Sequence, residues 1–537
     1  MKQLSGTDNS FLVSERKNVY NHVASLCIYD VSTAPGGKVR YKDILKHFED
    51  RMHLSPIFRS RLAEVPFGID RPYWVEQGDV DMEFHIRHIA LPAPGDWRQL
   101  MIQVARLHSR PLDRTRPMWE VYVIEGLDNI PKLPPGSFAL FSKFHHAAID
   151  GMAGAHLALQ LHSNSPDGAV AADEKHAIYV DRDPSTIEYA ARAVANGVGR
   201  ALELSKLSAQ VAGKIAEFGR TQLTQKMSGE SHPVSEEDKP ALGKAPHTRF
   251  NTVVSPNRVV DGFGMPLSRI KRIRTKVPGA SLNDIFLAVS GGGVRKYLMS
   301  KHELPSQSLT ALMPMSLRSD ASAGGNAVGA ATVRVRSDIA DPLERLKVAH
   351  HESQIGKQMA EKLGADLLEK LLSALPSALG RLVVTKGLIP TLNMTVSNVR
   401  GSDKPLYVAG AKAMCFYPVS IPMDGLGLNV TGVSYNGVMW VSVVSCRNML
   451  PDPAFFTQCL KEAWEELLAA ADALPDPAAA AVVKKPAAAV TKAAVAKKPA
   501  PKAATVKKPV AKKAPAKVVA AKPAAAKKPA AKTARKA

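Results

Sequence analysis

Cysteine is scarce in this chain: Cys27, Cys415, Cys446 and Cys459 are the only four among 537 residues, and no two form a CxxC pair. That scarcity argues against both a disulfide framework and a structural zinc site, which need clustered thiols. Long apolar runs are missing too. No uncharged apolar stretch reaches the roughly 18 residues of a membrane-spanning helix. The start, Met1-Lys2-Gln3-Leu4-Ser5-Gly6-Thr7-Asp8, lacks the apolar core of a secretory signal. A reducing, cytoplasmic setting is therefore expected, with the protein free or peripherally attached to a surface. Acidic and aromatic residues are both absent from 481–537, whose 57 positions hold 22 Ala, 17 Lys or Arg and 7 Pro. Such a segment cannot bury enough apolar surface to offset its ordering entropy, and its prolines cut any alanine-driven helix short, so 476–537 is expected to be a disordered basic tail. Removing its 17 basic residues from the total of 71 leaves 54 against 49 acidic, so a formal charge of +22 falls to +5 for the rest. The body's charge balance does not by itself point to nucleic acid.

What is present is ordinary for a large soluble fold. Apolar residues make up 45% and charged residues 22%, close to globular averages. Residues 1–162 mix apolar runs with Pro/Gly/Asp punctuation and end in the clearest strand pair. Met118–Ile124 and Ser137–His145 are rich in β-branched and aromatic residues, and the loop between them holds three prolines. Residues 163–248 form a polar crossover region, with a long helical pattern from Ser185 to about Leu223; such an amphipathic stretch suits a membrane surface too, but covering a lobe of the same protein is the commoner use and is expected here. A second mixed α/β lobe occupies 249–475. In it Ser281 precedes Asp284 by three residues at the head of an apolar periodic run, a helix N-terminal signature. Asn393–Asn398, Gly427–Tyr435 and Val438–Val444 read as strands and Asp452–Ala471 as a closing helix. Gly291-Gly292-Gly293 lies within a helical pattern without phosphate-loop spacing and is read as close helix packing.

The most informative run is Phe144-His145-His146-Ala147-Ala148-Ile149-Asp150-Gly151, where a strand ends and a helix begins. Strand alternation sends Leu140, Ser142, Phe144 and His146 to one face and Phe141, Lys143 and His145 to the other. Three readings follow from the residues: a metal set of His145, His146, Asp150 and His156, whose ligands alternation separates; a satisfied histidine pair at a buried strand end; or a general base, His146, with His145 in support. Asp150 falls where a carboxylate favours the following helix, and Gly151 permits a tight turn.

His145-His146-x-x-x-Asp150-Gly151 resembles the HHxxxDG motif of the CoA-dependent acyltransferase superfamily, in particular the bacterial wax ester synthase/diacylglycerol acyltransferases. Pro111-Leu112-Asp113-Arg114-Thr115-Arg116-Pro117-Met118-Trp119-Glu120 resembles that family's PLDxxRPLW segment, with Met118 where Leu is usual. Ser281-Leu282-Asn283-Asp284 resembles its Asn-Asp segment. Met313 to Arg318 with Gly325-Asn326 resembles its Pro-x-Ser-Leu-Arg and Gly-Asn elements, and Val396-Ser397-Asn398-Val399 its Ser-Asn-Val strand. Arg400 and Ser402 depart from the Pro-Gly-Pro that usually follows, and the basic tail has no counterpart in the family core.

The resemblance implies an α/β fold of two chloramphenicol-acetyltransferase-like lobes with the active site in the channel between them. It implies O-acyl transfer from acyl-CoA, as co-substrate and with no bound cofactor or metal, to diacylglycerol or a long-chain alcohol. His146 would be the general base and His145 its support. Asp150 would be structural, paired with Arg318, and Gly151 would shape the turn. Asn283 and Asp284 would shape the site, and Ser397 and Asn398 are candidate oxyanion donors. The tail is expected to tether the enzyme to anionic membrane or lipid inclusions, and DNA is a second polyanion it would suit. Two rival functions are another HHxxxDG acyltransferase, of polyketide-linked or orphan condensation type, and a non-catalytic lipid-inclusion or DNA-binding protein.

Overall fold

β-Branched and aromatic residues build Trp119–Glu125 and Phe138–His145 as an antiparallel pair, with Trp119 opposite Phe144 and Ile124 opposite Ala139. The hairpin expected from the sequence is thus present. The computed structural model describes residues 1–149, 157–168, 180–227, 243–316, 328–363, 370, 373–375, 379 and 382–475. Their elements all fall within one compact unit, Met1–Val482.

Two sheets carry the architecture. The first runs Tyr407–Val408, Ala411–Ala413, His22–Asp30, Phe138–His145, Trp119–Glu125, Ile86–Ala90, with Tyr417–Val419 also pairing with His22–Asp30. The second runs Val328–Arg334, Thr310–Ser316, Met394–Arg400, Leu428–Tyr435, Val438–Cys446, Arg258–Pro266. Three short strands from 407–419 therefore leave the C-terminal half of the chain and complete the N-terminal sheet, an exchange with no local sequence signal.

Alternation along Phe138–His145 separates two cores. Phe138, Leu140 and Phe144 pack with Ile44, Phe48 and Phe58 on one face, while Ala139 and Phe141 pack on the other with Leu100, Val104, Val260 and Val444. Val260 and Val444 belong to the second sheet, so this second core joins the sheets. Trp97 Nε1 donates across the same junction to Asp261 at 2.7 Å, and the Tyr417 and Trp440 rings meet edge-on at 5.0 Å.

The helix expected at Ser281 is Leu282–Ser300, opened by a capping box between Ser281 and Asp284, and the closing helix is Pro453–Asp472. The glycine triplet serves their packing. A Cβ on Gly291 would lie 1.8 Å from the Val335 carbonyl oxygen, on Gly292 2.8 Å from Arg345 Nη2, and on Gly293 2.4 Å from Leu460 Cδ2. Thr186–Met227 is the long helix anticipated from the 163–248 region. Asp150, Gly151, His156, Arg318, Gly325, Asn326 and the tail lie outside the described residues.

Candidate active site

His145 closes the strand Phe138–His145, and His146 is the first residue beyond it, held by its own N–H to the Asn21 carbonyl at 2.8 Å. The two rings have different fates. His145 is 1% exposed, and the Ala147 N–H donates to its Nδ1 at 3.0 Å. Nδ1 therefore carries the lone pair and Nε2 the proton, which His145 donates to Glu15 Oε1 at 3.1 Å. Glu15 is the hub of this corner. Its Oε1 also accepts the Asn21 N–H at 2.7 Å, and its Oε2 accepts from Arg114 Nη2 at 2.7 Å. Burial pushes the Glu15 carboxyl up, but the donors His145, Arg114 and Asn21 outweigh it and hold the group below the ordinary carboxylate range.

His146 makes no such bonds through Nδ1, which is buried without a partner among the described residues. Its ring stacks on Phe11, with centroids 4.0 Å apart and planes 15° from parallel. Phe11 comes from the short helix Gly6–Val13, whose Ser5 cap accepts from Asp8 N–H. The residue as a whole is half-buried rather than sealed. Burial, with the neighbouring His145 adding to it, brings the imidazole down to about 4, so it is neutral at pH 7 and free to accept a proton.

Glu15, His22 and His145 place ligand atoms within 4.8 Å of one another. Their hydrogen bonding argues for a prop rather than a metal set. With Nδ1 of His145 already accepting from the Ala147 N–H, a metal at Nε2 would need an imidazolate. Arg258 of the second sheet donates to the Asn18 carbonyl, and Arg16 pairs with Asp424, so the second half of the chain fixes the segment that bears Glu15.

The PLDxxRPLW-like segment wraps this corner. Leu112 and Met118 pack with Leu12 and Ala147 behind the histidine turn. Trp119 is fully buried, donating from Nε1 to the Phe58 carbonyl at 3.1 Å and stacking on His85. Arg114, a variable position of the motif, is the one that reaches Glu15.

The other sequence candidates form a second cluster. Asn398, on Met394–Arg400, donates from Nδ2 to Asn283 Oδ1 at 2.8 Å, while its Oδ1 is buried without a partner among the described residues. Asp284 is fully committed: Ser353 Oγ donates to it at 2.6 Å, His350 Nδ1 at 2.8 Å and the Ser281 N–H at 2.8 Å. Burial raises its pKa, but these donors lower it further, the signature of a structural carboxylate. Ser397 is half-buried, in register with Thr431. Among the described residues no hydrogen bond joins this cluster to His145 or His146. Phe11, Glu15 and Asn21 had no motif to reveal them, and Arg114 falls only at a variable position of one, because they come to His145 and His146 only through the fold.

The first condensation domain of the CDA synthetase, 14% identical with a TM-score of 0.51 over 89% of this chain and 98% of that one, shares the fold. The wax ester synthase/diacylglycerol acyltransferase of Marinobacter aquaeolei VT8 matches with a TM-score of 0.59 at 27% identity, over 88% of this chain and all of that one. The wax ester synthase/diacylglycerol acyltransferase catalytic domain matches residues 4–286, and the C-terminal domain of the same family matches 324–468. A putative diacylglycerol O-acyltransferase of Mycobacterium tuberculosis is 34% identical over 83% of this chain and 95% of its own length. A probable diacylglycerol O-acyltransferase of the same species is 32% identical over 84% and 95%. The chain belongs to the wax ester synthase/diacylglycerol acyltransferase family and is an acyltransferase enzyme. Its α/β architecture is that of this family and of condensation domains.

Proposed function

We propose that the enzyme transfers a long-chain acyl group from acyl-CoA to the hydroxyl of diacylglycerol, and also to long-chain alcohols, with His146 as general base and no covalent acyl-enzyme. The observation that carries this reading is the half-buried, neutral His146 ring, stacked on Phe11 with a buried nitrogen that no group among the described residues satisfies.

An alcohol hydroxyl, taken as similar to water at about 16, lies roughly 12 pKa units above an imidazole at about 4, so full proton transfer before attack would cost about 16 kcal/mol. The proton therefore moves to His146 as the oxygen attacks the thioester carbonyl. The CoA thiolate, with a pKa near the free-thiol value of about 8.5, leaves without obligatory acid assistance. His145, locked between Ala147 and Glu15, keeps the strand end and thereby His146 in place. Asn398, through the second Nδ2 hydrogen left over from its bond to Asn283, and the Ser397 hydroxyl beside it are assigned as donors to the developing oxyanion. Asp150 and Arg318 are assigned the structural pair of the HHxxxDG motif, with Gly151 the turn. In an apolar acyl site each buried CH₂ contributes about 0.8 kcal/mol, which favours long chains. The basic tail is assigned to anionic lipid, where each Lys or Arg near the surface contributes about 1 kcal/mol.

The test supplies the purified enzyme with palmitoyl-CoA and either dipalmitoylglycerol or hexadecanol, measuring released CoA and the ester formed. Ester with either acceptor supports the proposal. CoA release unchanged by the acceptor, with no ester, overturns it.

A further inference from the structure

Among the described side chains of the helix Thr186–Met227, a single face docks on the body. Tyr189 and Leu207 are buried, Asn196 Nδ2 donates to Asp70 Oδ2 at 2.7 Å, and Arg200 pairs with Asp70 at 2.8 Å. At 100° per residue, Ile187, Ala191, Val194, Val198 and Leu202 lie on the opposite face. Four of these are bare to solvent, with Ile187 81%, Val194 70%, Val198 60% and Leu202 59% exposed. Such a face has nothing to pack on within the described residues, although the helix meets the body by its other face.

A second feature adjoins it. Asp70, the anchor of the helix, ends the turn Pro66-Phe67-Gly68-Ile69, in which Phe67 is 98% exposed and Ile69 53%. Phe67 also has a φ of +58°, a left-handed conformation that bulky residues rarely adopt. An aromatic ring held in water on a strained turn is costly twice over and points to a surface that receives it.

We propose that the outward face of Thr186–Met227 and the Phe67 turn together form the docking surface of this enzyme for an anionic lipid surface. Charge selects this occupant. The helix has six Lys or Arg against three Glu by sequence, and the whole chain carries +22. A second copy would bring like charge to like charge, whereas anionic lipid complements both the helix and the tail. An amphipathic helix lying in a lipid interface uses such an apolar stripe, and an exposed aromatic at a turn tip anchors beside it. The inference stands apart from the acyl-transfer reading, since it concerns where the protein sits and not what His146 does.

The test is co-flotation of the full-length protein with phosphatidylcholine vesicles containing a minority of phosphatidylglycerol. It is run at low salt and at about 0.5 M NaCl, where screening falls to a few ångströms and the tail's attraction is suppressed. Wild type is expected to remain on vesicles at high salt, and Ile187→Asp/Val198→Asp to lose at least tenfold in bound fraction there. Ile187→Ser/Val198→Ser should lose less, in the same direction, with an unchanged melting temperature. A fluorophore on Phe67→Cys reports the turn directly, because the four native cysteines are buried; its emission should shift to the blue on vesicles. Equal flotation of wild type and both variants at high salt, or no blue shift, overturns the proposal. So does a wild-type dimer by light scattering that the aspartate variant dissolves without any change in flotation.

Discussion

Replacing Glu15 with Ala tests the physical support of the histidine turn. The carboxylate accepts from His145 Nε2, Asn21 N–H and Arg114 in a corner where it is 10% exposed. Alanine leaves two buried donors, His145 Nε2–H and Asn21 N–H, without partners, at about 1 to 3 kcal/mol each. Arg114 is 37% exposed and can turn to water, so its loss adds little. The expected loss of about 2 to 6 kcal/mol, set against an unfolding entropy of about 1 kcal/mol/K for a body of roughly 475 residues, is a fall of a few degrees in melting temperature. Because the same bonds orient His145 and the turn that carries His146, kcat should fall about 10- to 100-fold with KM within about threefold. Glu15→Gln keeps an acceptor oxygen for His145 and should recover part of both losses. Wild-type kcat and melting temperature in Glu15→Ala would refute the reasoning. Linkage gives the sign of the pH effect. Folding lowers the Glu15 pKa from 4.5, so its contribution is complete above that value and disappears as pH falls through the lower, folded one. The destabilisation of Glu15→Ala relative to wild type should therefore shrink in strong acid.

Two further outcomes follow. A base drawn down to about 4 is still neutral at pH 5.5, so the acid limb of kcat/KM should have an apparent pKa near 4; a limb near 6.5 would contradict the buried environment of His146. Gly291→Ala places a methyl group 1.8 Å from the Val335 carbonyl oxygen and must push apart the helix Leu282–Ser300 and its neighbour. It should lower thermal stability by several kcal/mol or abolish soluble expression, and unchanged melting would refute the packing role.

Much of the frame was legible because it is local. The hairpin ending at His145, the capping box at Ser281 and the helix Pro453–Asp472 follow from alternation, a three-residue spacing and helical periodicity. The glycine triplet was read from its helical setting, and its contacts agree. Non-local features left no such trace. Tyr407–Val419 supplies strands to a sheet whose other members end at residue 145, and no spacing signals that exchange. Glu15 sits 130 residues from His145, and Phe11 meets His146 only because the helix Gly6–Val13 folds back over the strand end. The long helix was visible as a periodic pattern, but which of its faces would be covered depended on Asp70 and Tyr73, which are remote in sequence.

The central claim is that a single imidazole takes the acceptor's proton. His146→Ala, assayed for ester formation from palmitoyl-CoA beside its circular dichroism and melting curve, tests it most directly. The account predicts a folded protein whose kcat is at least a thousandfold lower, whereas a folded variant that forms ester at the wild-type rate would contradict it.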